Sequence, residues 1–367
     1  MCRVRNLASD SEIRRGAFVL PSDKLGGAER VTCTLVRTLL DEGTITKADI
    51  FILAKRSQDA QHLIDLLEDE RVTIFYGGRR ELFGVVPLIL FLLRRRFDLV
   101  FASFTHINSL LSFARKIGVL RTKRLVTRES TLIFERQFVG WKRKILPWMY
   151  WLYGAQDLLV MQTEHMRSSL IAHRPNLKAL PIQVVPNPVT LPTDFRDSSI
   201  RRENHLVWCG RLVEIKRPDL AIELMLRLPQ NFVLNMVGDG PLRAPSEEMV
   251  RRSGLEDRVT FHGFLDHPGS IFREVEYGLL TSSIEGFPNV ILELLAYGVK
   301  GVAVTPCTTG LDEIPGVHVA KSHCVDALES VFYNMLAVEQ CQEQVSKMLN
   351  ARSPQSFANV IAGGAIK

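Results

Sequence analysis

The chain has 367 residues, 46% hydrophobic and 23% charged, which suits two folded domains with separate cores and leaves no long polar tract for disorder. The formal net charge of +6 fits nucleic acid, an anionic membrane or an acidic small molecule, so charge alone selects none of them. Six cysteines (Cys2, Cys33, Cys209, Cys307, Cys324 and Cys341) lack close pairs or metal-ligand spacing, which argues against a disulfide framework or a zinc site and for a reducing cytosol.

The first fifteen residues lack the apolar core of a signal peptide, so a protein that is not exported is expected. From residue 16 short apolar runs alternate with longer helix-like stretches, the pattern of βα units in a parallel sheet. A first series of strands is expected at 17–20, 50–54, 72–76, 99–102, 124–127, 158–161 and 184–186. A second is expected at 206–209, 233–237, 259–261, 278–280 and 302–304. Between them Pro181, Pro186, Pro188 and Pro192 precede the polar run 193–204, which reads as an interdomain connection with its boundary near Pro188. The expected fold class is α/β, two doubly wound domains whose strand carboxyl ends face a central cleft.

Several loops carry chemistry. Gly26 and Gly27 follow the opening strand and begin a helix, removing side-chain bulk where a ligand lies against backbone; they form neither a G-x-G-x-x-G fingerprint nor a Walker loop. His106 follows the strand at 99–102, in a loop. Arg128 and Glu129 end the next strand and can bind acceptor hydroxyls or each other. Gly210, Arg211 and Lys216 follow the strand at 206–209, and a guanidinium fork with an ammonium suits a diphosphate. Gly238 permits a tight turn after the strand at 233–237. At 285–293, Glu285 sits in a loop, Asn289 is positioned to cap a helix at 290–297 that Gly298 stops, and Glu293 is the helix's lone charge. A carboxylate buried in such a helix needs a hydrogen-bond or charged partner, and the helix N-terminus attracts phosphate.

In this order the segments resemble glycosyltransferase family 4, retaining transferases of the GT-B fold. They are GGAE at 26–29, VPNPV at 185–189, GRLVEIKR at 210–217, VGDGPLR at 237–243, FHGF at 261–264 and EGFPNVILE at 285–293. The resemblance implies a Rossmann-like acceptor-side domain over 1–187, joined by a helix from about 350–367 that crosses back, and a Rossmann-like donor domain over 188–349. It implies that Arg211 and Lys216 hold the donor diphosphate and stabilise the leaving nucleotide. Glu293 would accept from the ribose and Glu285 would face the donor sugar. The backbone around Phe287, Pro288, Asn289 and Val290 would meet sugar and phosphate, with Gly26, Gly27, Gly210 and Gly238 allowing close approach. His106 falls where members place a sugar-contacting histidine, and Arg128 and Glu129 lie on the acceptor side. No cofactor and no metal are expected, since the sequence has no D-x-D triplet.

The reading is therefore a metal-independent hexosyltransferase-type enzyme that moves a sugar from a nucleotide-diphosphate donor, a UDP-sugar by preference, to a glycan or lipid-linked acceptor in bacterial-type surface polysaccharide or glycolipid synthesis. The alternatives are a nucleotide-sugar epimerase of the same fold and a non-catalytic nucleotide-sugar binding protein. No nucleic-acid partner is expected, because interleaved aromatic and basic motifs are absent. The run 82–93 is bracketed by Arg79, Arg80, Arg94, Arg95 and Arg96, and Trp141, Lys142, Arg143, Lys144, Trp148 and Trp151 lie in one stretch. These suit an anionic membrane surface, so the cytoplasmic protein has an alternative as a peripheral one at the inner face of the cell membrane. With Pro87 inside it, the run is too short to span a bilayer, and as the helix of a βα unit it reads as core.

Overall fold

A computed structural model of the chain describes residues 15–24, 26–55, 68–135, 142–192 and 201–364. Trp141 lies outside the described residues, as do the side chains of Lys142, Arg143 and Lys144 and most of the polar run after Pro192.

Seven strands form a parallel sheet: β1 (Arg15–Ser22), β2 (Lys47–Ala54), β3 (Val72–Tyr76), β4 (Phe97–Ala102), β5 (Thr122–Arg128), β6 (Leu158–Met161) and β7 (Ile182–Val184). Six form a second: β8 (His205–Cys209), β9 (Val233–Val237), β10 (Val259–Gly263), β11 (Tyr277–Leu280), β12 (Gly301–Val304) and β13 (Val317–Val319). Their orders are β3-β2-β1-β4-β5-β6-β7 and β10-β9-β8-β11-β12-β13. Each order reverses once, between β1 and β4 and between β8 and β11, and a doubly wound sheet opens a crevice at such a switch point. The GG loop and the residues around His106 leave the first switch point. The segments at 210–216 and 281–289 leave the second.

The central strands are apolar on both faces, as helices cover both sides of each sheet. Phe18, Leu20, Ile50 and Phe101 pack beneath Val31, Leu35 and Leu39 of the Gly27–Asp41 helix, while Ala17, Val19, Phe51 and Val100 face Leu88, Phe91, Ile107 and Leu111. Phe357, Ala358, Val360 and Ile361 of the Pro354–Ala362 helix complete the first core, so the chain's last helix returns from the second sheet to the first. Ser353 caps that helix by accepting from the Ser356 N–H at 3.2 Å, and Arg124 Nε donates to the Ile361 carbonyl at 2.8 Å.

Three expectations are corrected. The strand expected at 184–186 ends at Val184, since Pro186 has no N–H for a ladder. The edge strand β13, three residues long, escaped the sequence pattern. The run 82–93 does not lie wholly in the core. Its helix, Glu81–Leu93, buries Gly84, Leu88, Phe91 and Leu92 but leaves Leu82 79%, Phe83 64% and Val86 63% exposed, with Leu90 and Leu93 beside them. Among the described residues no helix is long and apolar enough to cross a membrane.

Candidate active site

The two loops of the second switch point are laced together. Trp208 Nε1, at the end of β8, donates to Thr281 Oγ1 at 2.8 Å, and that hydroxyl lies 2.8 Å and 2.7 Å from the Lys216 and Arg217 carbonyls. Ser283 N–H donates to the Ile215 carbonyl at 2.8 Å. Arg217 adopts the left-handed conformation, φ 49°, where the turn Glu214–Lys216 passes into the helix Pro218–Arg227. This backbone aims Lys216 across to the loop after β11, where its ammonium pairs with Glu285 Oε1, an oxygen that also accepts from Ser282 Oγ at 2.8 Å. Lys216 is 25% and Glu285 17% exposed. Arg211 is exposed at the start of the same loop. Gly238, at φ 134°, passes so close to Gly210 that a Cβ on it would lie 1.9 Å from the Gly210 carbonyl oxygen, so the two glycines fix how these loops cross.

The segment 285–293 meets the first domain directly. A Cβ on Gly286 would lie 2.5 Å from the Ser130 carbonyl oxygen, so only glycine allows this approach. Phe287 is half-buried, with the Arg352 guanidinium 5.3 Å from its ring centre, and Pro288 is buried. The helix is Asn289–Ala296, with Pro288 rather than Asn289 at its N-cap. The Asn289 amide is otherwise engaged: Nδ2 donates to the Gly27 carbonyl at 3.1 Å, and Oδ1 accepts from Asn187 Nδ2. Asn289 therefore ties the domains together instead of capping, and Val290 beside it is half-buried. Glu293 is only partly enclosed, and it has the charged partner expected of a carboxylate there. Its side chain is 31% exposed, with Arg30 Nη1 of the first domain 3.7 Å away. Burial of the carboxyl raises its pKa, and Arg30 opposes the rise.

On the first domain, Gly26 is extended and Gly27 opens the helix. Arg30 Nη2 donates to the Asp266 carbonyl at 3.0 Å, a further link between domains. His106 lies in the first turn of the Thr105–Lys116 helix rather than in a loop, its Nε2 3.6 Å from Glu81 Oε2.

Arg128 and Glu129 bind neither an open acceptor cleft nor each other by a hydrogen bond. Both are buried, at 1% and 2% exposure. Glu129 accepts from Thr105 Oγ1 at 2.6 Å, Asn108 Nδ2 at 3.0 Å, Tyr150 Oη at 3.0 Å and Tyr153 Oη. Desolvation raises its pKa against those four bonds. Arg128 Nη2 donates to Asn187 Oδ1. Burial lowers the guanidinium pKa to about 10, which leaves it charged at neutral pH.

Arg128, Asn187, Asn289 and Gly27 thus form one chain of hydrogen bonds from the first core through the linker to both cleft loops. Sequence reasoning missed Asn187, Arg30 and Glu29. The available signals were a polar residue between Pro186 and Pro188, and two charges in the first turn after the glycine pair. A groove of about 390 Å³ lined by Arg217, Pro218, Leu242 and Met249 touches these loops only through Glu214 and Arg217 and includes none of Arg211, Lys216, Glu285 or Glu293, which sets it aside as the site.

Residues 25–191 match the family described as Glycosyltransferase Family 4, and residues 203–337 match Glycosyl transferases group 1. The chain is 24% identical over 295 residues to a Campylobacter jejuni enzyme, GalNAc-alpha-(1->4)-GalNAc-alpha-(1->3)-diNAcBac-PP-undecaprenol alpha-1,4-N-acetyl-D-galactosaminyltransferase. That match covers 77% of each protein. Among solved structures it resembles the lipopolysaccharide outer core galactosyltransferase WaaB, with TM-score 0.69, 18% identity and coverage of 95% of this chain and 99% of that one. It also resembles Anabaena Alr3699/HepE in complex with UDP-glucose, with TM-score 0.69, 17% identity and 94% of each chain covered. Two doubly wound sheets, the charged cleft between them and matches spanning most of the sequence place the chain in glycosyltransferase family 4, as a glycosyltransferase of the GT-B fold.

Proposed function

We propose that the enzyme transfers a sugar, with retention at the anomeric carbon, from a nucleotide-diphosphate sugar to a glycan or lipid-linked acceptor in surface polysaccharide or glycolipid synthesis. The observation that carries this reading is the Lys216–Glu285 pair, held at the second switch point beside the N-terminus of the Asn289–Ala296 helix. Arg211 and Lys216 receive the diphosphate and stabilise charge on the leaving nucleotide, with Lys216 exchanging its Glu285 contact for phosphate. Glu285 then turns to the donor sugar, Glu293 takes the ribose hydroxyls, and His106 contacts the sugar from the first domain. The glycines at 26, 27, 210 and 238 keep the loops close enough to enclose the donor. A UDP-sugar is the favoured donor, supported by the UDP-glucose complex of the Anabaena neighbour. A lipid-linked acceptor is supported by the undecaprenol-linked substrate in the Campylobacter relative's name. The proposal includes no metal and no other cofactor.

A thermal-shift panel of UDP-, GDP- and ADP-sugars tests the donor site: the matching nucleotide, at about 100 times its dissociation constant, adds about 2.7 kcal/mol of stability. Stabilisation by none of them would refute the assignment. Incubation with the UDP-sugar alone separates transfer from epimerisation, since only an epimerase converts the donor into its epimeric UDP-sugar.

The proposal places the enzyme in the cytoplasm, at the inner face of the membrane. Its support is the apolar stripe of Leu82, Phe83, Val86, Leu90 and Leu93, flanked by exposed Arg79, Arg80, Arg94 and Arg96, with Trp148 60% and Trp151 64% exposed on the same domain. Wild-type protein is expected to float with anionic vesicles at low salt, and a Leu82→Ser, Phe83→Ser, Val86→Ser variant to stay at the bottom of the gradient. Failure of the wild type to float would remove the membrane from the reading.

A further inference from the structure

Glu29 stands in the first turn of the Gly27–Asp41 helix, in the glycine loop of the proposed donor site, and the roles assigned above leave its carboxylate without one. It is 9% exposed. The side chain folds back over the glycine pair, so that a Cβ on Gly26 would lie 2.6 Å from Glu29 Oε2. The charged and titratable groups facing it come from four elements. Arg211 approaches from the loop after β8, Arg128 from the end of β5, Glu81 from the start of the Glu81–Leu93 helix and Cys33 from one turn along its own helix. Arg128, buried at 1% exposure with Glu129 as its main charged neighbour, spends Nη2 on Asn187 and keeps Nε and Nη1 without a hydrogen-bond partner. Burial pushes the Glu29 carboxyl up to about 7, while its own backbone N–H, Arg211 and Arg128 hold it down.

We propose that Glu29 couples donor binding to proton uptake: buried against the glycine pair and within the field of Arg211 before the donor arrives, it takes one proton from solvent when the donor diphosphate engages Arg211. The inference rests on the donor-site reading above. Two effects act in the same direction. The diphosphate neutralises the cation that favoured the ionised carboxylate, and its own negative charge arrives beside the same helix N-terminus. The balance is simple: one proton from solvent joins a Glu29 oxygen, and the diphosphate keeps its charge. The neutral carboxyl then has an O–H to donate towards the phosphate. By linkage, donor affinity falls as pH rises above about 7, by up to about tenfold per unit, and binding takes up as much as one proton.

Calorimetric titration with UDP-glucose tests this, because its diphosphate diester does not titrate near neutral pH. Repeating the titration near pH 8 in two buffers of different ionisation enthalpy counts the protons. Wild type is expected to take up at least about half a proton per nucleotide. Its dissociation constant should rise several-fold from about pH 7 to about pH 8, and Glu29→Gln should show neither effect. Binding without proton uptake, or equal uptake in Glu29→Gln, overturns the proposal and leaves the donor site standing. If UDP-glucose and the other sugar nucleotides all fail to bind, the donor reading falls and this inference with it. The wild-type proton count decides the matter even if the variant does not fold.

Discussion

Replacing Lys216 by alanine is expected to lower the transfer rate about 10²- to 10³-fold while leaving the chain folded. The magnitude is that of removing one preorganised electrostatic contact from a site where charge develops on a leaving group. The small structural effect follows from exposure. Lys216 and Glu285 are 25% and 17% exposed, and a partly solvated ion pair is worth only about 1 kcal/mol. Glu285 keeps its bond from Ser282 Oγ, and the loop keeps the Thr281 contacts to its carbonyls, which do not involve the lysine side chain. The loss should appear in kcat more than in KM, since the ammonium is proposed to act most strongly as the nucleotide departs. Lys216→Arg should recover part of the rate, because it retains the cation but spreads it over a fork. The measurement is steady-state transfer with a UDP-sugar beside a melting curve. An alanine variant within tenfold of wild-type kcat would place the diphosphate elsewhere.

The same pair shows why so much of the fold was legible in the sequence. Parallel strands buried on both faces are nearly continuous apolar runs, and 17–20, 50–54 and 99–102 could be recognised without alternation. Glycine and charge soon after such a run mark a strand's carboxyl end, and Gly26, Arg211 and Lys216 carry that mark. What local sequence does not encode is the direction in which the next polar side chain turns. Arg128 and Glu129 stand at the carboxyl end of β5 much as Arg211 and Lys216 stand beyond that of β8, yet they fold inward. Their partners Thr105, Tyr150, Tyr153 and Asn187 lie 21 to 59 residues away in the chain. The immediate neighbours of Asn289 fit a helix cap. Its actual partners, Gly27 and Asn187, are 262 and 102 residues distant. The Glu81–Leu93 helix posed the converse problem. Almost all of its residues are apolar, so no periodicity separated the buried Leu88 and Phe91 from the exposed Leu82 and Phe83.

Glu129→Ala is expected to be the most destabilising single change at the cleft, by about 3–5 kcal/mol, the range found when one member of a buried charged network is removed. The truncation strands four donors, from Thr105, Asn108, Tyr150 and Tyr153, in a region closed to water. At about 2–4 °C per kcal/mol for a domain of this size, the melting midpoint should drop by roughly 6–20 °C. Glu129→Gln should cost only about 1 kcal/mol. One amide oxygen keeps the acceptor role towards Asn108 and Tyr153, and the hydroxyls of Thr105 and Tyr150 can rotate to accept from the amide nitrogen. The pH dependence provides an independent check. A carboxyl whose pKa is raised on folding contributes stability that is present below its ordinary value and lost as pH rises through the folded value. Wild type should therefore lose stability over that interval relative to Glu129→Gln, whose amide does not titrate. Because the carboxylate is spent on holding β5 to the neighbouring helices, neither variant should raise KM for the acceptor in the fraction that remains folded. An alanine variant with unchanged melting and an acceptor KM raised tenfold would return Glu129 to the acceptor site.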